Sequence, residues 1–205
     1  MQTTNNNPHY RITLNDREEY VDQNTAEFER GIIRLNKPID EDVHKHIDGA
    51  VTYRLSKYPG EPIYIIINSP GGHVTDGLAI LDTLNGAKAM GSDVYTIATG
   101  MTASMGAFLL AAGTKGCRYA TPNAEILLHQ PLGGVSGQAT DMVIAVDNIV
   151  KKKSILTEHL ANFTGQSAKE LAPKLERDHI MTPEQAVSEG VIDGIENIIK
   201  IIQVR

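Results

Sequence analysis

From Gly31 onward, short apolar runs alternate with longer segments whose apolar positions recur at helical steps. The runs "IIRL", "PIYIIINS" and "DVYTIATG" are rich in β-branched residues and predict strands; "EDVHKHIDGAVTYRLSKY" and "VTDGLAILDTLNGAKAM" predict the helices between them. Such alternation implies an α/β architecture around a largely parallel sheet. "YIIIN" is apolar throughout instead of alternating, as expected of a central strand covered on both faces. Further on, "AEILLHQPLGG" predicts another buried strand that ends at His129. Met142, Val146, Ile149, Leu156, Leu160 and Phe163 then fall at helical steps, predicting one long amphipathic helix from about Ala139 to Phe163, with Gly165 placed to stop it. Residues 1–30 are polar, rich in Asn, Thr and Glu, and show no sustained period. They are read as an arm or mobile loop ahead of a single domain over 31–205.

Composition narrows the classes of function. A chain of 205 residues with 41% hydrophobic residues suits one domain with a full core. Its net charge of -6 leaves no electrostatic footprint for nucleic acid, and Lys151-Lys152-Lys153 is the only dense basic run. Apolar stretches such as "AFLLAA" fall far short of the roughly 20 residues that a membrane span needs. A single cysteine, Cys117, cannot form an internal disulfide, and the first residues lack the apolar core of a signal peptide. The expectation is a soluble, cytoplasmic protein with neither nucleic acid nor membrane as a partner.

Candidate chemistry gathers at two strand-to-helix transitions. "NSPGGH" (Asn68 to His73) follows the buried strand, and its glycines can present bare N–H groups to an oxyanion or a phosphate; a tight turn explains the same letters. Ser104 follows "DVYTIATG" and precedes "MGAFLLAAG", with small neighbours Ala103, Gly106 and Ala107. That position suits an exposed nucleophile, and it equally suits a helix N-cap. The G-x-S-x-G elbow is excluded, because Thr102 occupies the first glycine position. Of the seven histidines, His9, His44, His46 and His159 lie in polar or helical surroundings where packing or surface roles suffice. His73 and His179 are less easily set aside, and His129 stands at a strand end. An orienting acid cannot be chosen from spacing, since triads assemble in space.

Several motifs, in order, resemble the proteolytic subunit of the Clp protease family: "INSPGG", "ASMGAFLLAAG", "HQPLGG", "GQATD", "HLANFTGQ" and "ERDHIMTPEQAVSEGVID", together spanning about residues 31–196. The resemblance implies a crotonase-like α/β fold and a serine endopeptidase acting on unfolded polypeptides. It carries over Ser104 as nucleophile, His129 as general base and Asp178 as orienting acid. Backbone N–H groups of Gly72 and Met105 would form the oxyanion hole, and Gly71, Pro131, Leu132 and Gly133 would line the bound peptide. The segment of about 134–163 would be the handle that joins two stacked seven-membered rings, with Glu176 and Arg177 at the contact between rings. An AAA+ ATPase unfoldase of the Clp family would feed the chamber. This chain holds no G-x-x-x-x-G-K-[ST] loop, so ATP would be used by that partner; no metal or cofactor is expected here.

Three departures from the family pattern bear on partners instead of chemistry. The arm lacks the usual "YDIYSRL", the stretch "LNGAKAMGSD" reads as a lengthened loop over 85–93, and Ile66 replaces an aromatic residue that relatives use to bind the unfoldase. A divergent paralogue or a phage-encoded member would fit. Two other classes compete: a catalytically misaligned subunit of a mixed ring, and an acyl-CoA-binding crotonase-type enzyme.

Overall fold

The computed structural model describes residues 9–14 and 17–203. A seven-stranded sheet forms the centre. Its main path runs β3 (Ile32–Leu35), β4 (Ile63–Ser69), β5 (Val94–Ala103), β6 (Arg118–Ala120) and β9 (Gly194–Ile195). Every pairing on this path is parallel. The ten-residue β5 is long enough to serve two neighbours on one side: Thr96–Ala98 pairs with β6, and Met101–Ala103 pairs with β7 (Glu125–Leu128). β7 in turn pairs antiparallel with β8 (His179–Met181). The split at β5 creates a branch of the sheet, and the predicted site residues lie along it.

Alternation along β4 explains its continuous apolar run. Ile63, Ile65 and Ile67 enter the main core with α2 (Glu41–Lys57), α3 (Val74–Ala89) and α4 (Met105–Ala111), while Tyr64 and Ile66 join a smaller cluster on the reverse face with Ile32, Ile97 and Ile201. Ile201 comes from the terminal α8 (Ile198–Gln203), so that short helix covers part of the second face. Local signals set the helix ends. Asp40 caps α2 by accepting from the Val43 N–H at 2.9 Å, with Glu41 and Asp42 in the first turn and Arg54 and Lys57 in the last. Reciprocal capping boxes open α6 (Ala168–Lys174) at Ser167 and Glu170, and α7 (Pro183–Ser188) at Thr182 and Gln185.

The long helix α5 spans Ala139–Thr164 and ends at Gly165, whose φ of 77° is the left-handed stop that the sequence anticipates. Leu156 and Leu160 are buried, whereas Val143, Ile144, Val146 and Val150 are exposed. One side of its N-terminal half therefore presents aliphatic groups to solvent. Among the described residues, no helix is long and apolar enough to cross a membrane.

Two expectations need correction. Residues 85–93 are not a lengthened loop: α3 continues to Ala89 because Leu84 and Ala87 are buried, leaving only 90–93 as connection. The segment before Gly31 is also more regular than its lack of period implies. Its described residues form an antiparallel hairpin, β1 (His9–Leu14) with β2 (Arg17–Asp22), followed by α1 (Gln23–Glu29) capped by Asp22. The head of the expected arm, residues 1–8, lies outside the described residues.

Arg118 ties β6, β9 and α5 together. Its side chain is only 3% exposed, pairs with Asp193 at 2.6 and 2.8 Å, and donates to the Phe163 carbonyl at 2.9 Å. Burial disfavours the Asp193 carboxylate, but hydrogen bonds from Arg118 and the Gly116 backbone outweigh it and hold its pKa below the ordinary value. Removing one partner leaves a buried charge alone. Asp193→Ala is expected to lower stability by about 3 kcal/mol, read as a fall in the urea midpoint. In the native chain, the Asp193 contribution is complete above the ordinary carboxylate pKa and is lost as pH falls through the depressed folded value.

Candidate active site

Ser104 occupies the N-cap position of α4, yet its side chain makes no capping hydrogen bond. Its backbone is at φ 55° and ψ -123°, the only positive φ at a non-glycine residue among those described. A residue with a Cβ adopts this region only when its surroundings impose it, at a cost on the order of 1–3 kcal/mol. The surroundings are visible on both sides. The Ser104 N–H donates to the Leu127 carbonyl at 2.8 Å, which fixes the turn against β7. Gly71 presses from the other side, where an added Cβ would lie 2.5 Å from the Ser104 Cβ and 2.9 Å from the Met105 nitrogen. Here glycine is required twice, for that approach and for its own φ of 91°.

The backbone donors beside Ser104 follow from hydrogen-bond accounting. Ile39 donates to the Gly71 carbonyl and accepts from the His73 N–H, each at 2.8 Å, forming a parallel bridge with Gly72. Both groups flanking Gly72 face Ile39, so the N–H of Gly72 itself points the opposite way. Met105 is the first residue of α4, and its N–H has no intrahelical acceptor. Two candidate donors are thereby left beside the serine.

Ser104 and His129 line one narrow cavity of about 30 Å³, room for roughly two water molecules. Val74, Met105, Phe108, Leu128, Leu156 and Leu160 supply apolar wall, and Pro131, two residues after His129, lines it too. His129 is 12% exposed at its side chain, and its Nδ1 faces Asp178 Oδ1 across 3.9 Å. That distance exceeds a hydrogen bond. Asp178 is 69% exposed, so it stands beside His129 without being locked to it.

The other predicted site residues sort by position. Gly71 and Met105 meet at Ser104, Gly72 follows in the chain and bridges Ile39, and Pro131 reaches the cavity. Leu132 is exposed, while Gly133 lies against Ile149 of α5, outside the cavity. Among the described residues, no backbone-to-backbone hydrogen bond engages 131–137, so this strip next to His129 has no strand paired to it there. His73 is exposed and pairs with Asp76 at 3.1 Å; His179 pairs with Glu189 at 2.9 Å. Neither lines the cavity.

Sequence reasoning missed three polar residues on the cavity wall, Gln130, Lys153 and Thr157. Gln130 was visible as the neighbour of His129 in "HQPLGG". Lys153 was hidden in the lysine run, although its position three and seven residues before Leu156 and Leu160 puts it on their face of α5.

A mixed α/β chain built on a largely parallel sheet has the architecture of a crotonase-like fold. Comparison with family models makes the assignment specific: the model described as Clp protease matches residues 15–198. The chain belongs to the Clp protease family and is a protease.

Two substitutions test the turn. Gly71→Ala is expected to reduce peptide hydrolysis by about 100-fold or more while preserving the far-UV circular dichroism spectrum, because displacing the nucleophile by an ångström is costly. Ser104→Gly is expected to be more stable than Ser104→Ala by about 1 kcal/mol in urea denaturation, since glycine relieves the positive φ.

Proposed function

We propose that this chain is a serine endopeptidase that cleaves unfolded polypeptides, using Ser104, His129 and Asp178 inside a chamber built from copies of itself. The observation that carries the reading is the conformation of Ser104. A serine serving as a cap would sit in extended backbone and accept from its helix. This one does neither, and it faces a cavity shared with His129.

In the proposed reaction, the peptide lies extended along the open backbone strip at 131–137, which offers main-chain hydrogen bonds and reads few side chains. Ser104 Oγ attacks the scissile carbonyl carbon as His129 accepts its proton. The carbonyl oxygen takes the electron pair and is held by the N–H groups of Gly72 and Met105, each such donor contributing about 3 kcal/mol to the transition state. Collapse expels the amine, which leaves with the proton from His129, and an acyl-enzyme remains. A water molecule activated by His129 then releases the acid and restores the serine. Asp178 orients the imidazole and stabilises its charged form. The cycle needs no metal or cofactor.

The exposed aliphatic side of α5, with Val143, Ile144, Val146 and Val150, supports the handle assignment. Stacking of two seven-membered rings would bury that face and seclude the nonspecific site. Membership of the Clp protease family supports an ATP-using unfoldase of the AAA+ class as a separate partner. A cytoplasmic setting fits the single buried cysteine.

A second reading is a subunit whose triad is out of alignment until a partner closes it. The 3.9 Å gap and the exposure of Asp178 favour it. Labelling the ring-assembled protein with a fluorophosphonate, followed by peptide mapping, separates the two. Under the endopeptidase reading, Ser104 carries the adduct and His129→Ala slows its formation by about 1,000-fold or more. Absence of adduct from assembled wild-type protein would support the misaligned subunit.

A further inference from the structure

Among the described residues no hydrogen bond fixes the side chain of Asp178, so its approach to His129 depends on how the segment 175–178 is held. Besides the Leu175 N–H bond to the Leu171 carbonyl, a set of four hydrogen bonds links this segment to Gln130 and α5. The Gln130 N–H donates to the Leu175 carbonyl at 2.7 Å, and Gln130 Nε2 donates to the Glu176 carbonyl at 3.1 Å. Lys153 Nζ donates to Gln130 Oε1 at 2.7 Å and to Glu176 Oε2 at 3.1 Å. Gln130 is the residue after His129, and Glu176 stands two before Asp178. One lysine on α5 therefore laces the base-bearing strand to the acid-bearing turn.

The neighbouring lysines do not share this role. Lys152 reaches Thr75 on α3 at 3.2 Å, and Lys151 is exposed. Among the described residues, Lys153 is the only lysine or arginine lining the cavity. Its ammonium is placed by two acceptors on opposite sides of a gap, a geometry that a point charge with three donors can span. Thr157, one turn on, donates to the Lys153 carbonyl at 2.8 Å and holds that stretch of helix in register with the cavity wall.

We infer that Lys153, acting through Gln130 and Glu176, is a positioning residue that sets the separation of His129 and Asp178 and makes α5 a structural part of the active site. The inference rests on the triad reading above. It adds that the catalytic spacing is controlled from a helix that contributes none of the triad.

The test uses the full chain in its assembled state, checked by light scattering, with a fluorogenic peptide as substrate. Lys153→Met keeps the stem and removes the donors. It is expected to lower kcat by roughly 10- to 100-fold with KM within about twofold, and Lys153→Arg is expected to restore most of kcat. Glu176→Gln keeps an acceptor but removes the charge, and is expected to lower kcat severalfold in the same pattern. Unchanged kcat in Lys153→Met, or a loss expressed mainly in KM, would overturn the inference. Should Lys153→Met fail to assemble, Glu176→Gln decides by the same split. Full activity of His129→Ala would remove the triad reading itself, whereas an inactive His129→Ala beside a fully active Lys153→Met would remove only the role of Lys153.

Discussion

The contact between Gly71 and Ser104 is the constraint on which the site depends. Parallel strands β4 and β5 lie side by side, and their chains turn off the sheet at neighbouring points. Two turns can come this close only if one lacks a side chain. The absent Cβ of Gly71 leaves space that Ser104 fills, and the hydrogen bond from Ser104 to Leu127 presses from the opposite side. The positive φ follows from being held between them. Strain in the serine and permissiveness in the glycine are thus one arrangement viewed from two residues, with the orientation of the Met105 N–H as a by-product.

Around this fixed centre, the acid side of the site is comparatively loose. Ser104 is set by backbone contacts within a parallel sheet, and His129 follows the end of β7. Asp178 belongs to a turn held mainly by polar side chains on partly exposed positions. Such contacts are weaker and more readily rearranged than buried backbone ladders. Ser104 is placed by the fold, and Asp178 by a network laid over it.

Much of this was legible because it is local. The burial of β4 on both faces, the limits of α5 and its glycine stop all follow from periodicity and capping, which act within a few residues. The serine at a strand end could be located but not interpreted, because a cap and a nucleophile share the same letters; its backbone angles, which no letter states, are not those of a cap. The hairpin before α1 stayed hidden for a related reason. Tyr10, Ile12 and Leu14 alternate for too short a span, and the partner run Arg17–Asp22 is mostly polar. Lys153 was least legible of all. Its acceptors stand 23 residues away in each direction, beyond the reach of any local pattern, and the charge run around it resembles a solvated surface. The supposed loop at 85–93 shows the opposite error, a reading taken from the family pattern where burial of Leu84 and Ala87 carries the helix on to Ala89.

The attachment of α5 has a mechanical consequence. At its C-terminal end, Leu156 and Leu160 are buried and Arg118 grips the Phe163 carbonyl; at the other end, aliphatic groups face outward without cover. A rod of 26 residues, about 39 Å long at 1.5 Å per residue, is thus a cantilever. A given rotation at its root moves each residue in proportion to its distance from that root, so the tip near Ala139 sweeps more than twice as far as Lys153. The fold places the cavity where the lever moves least and the open apolar face where it moves most.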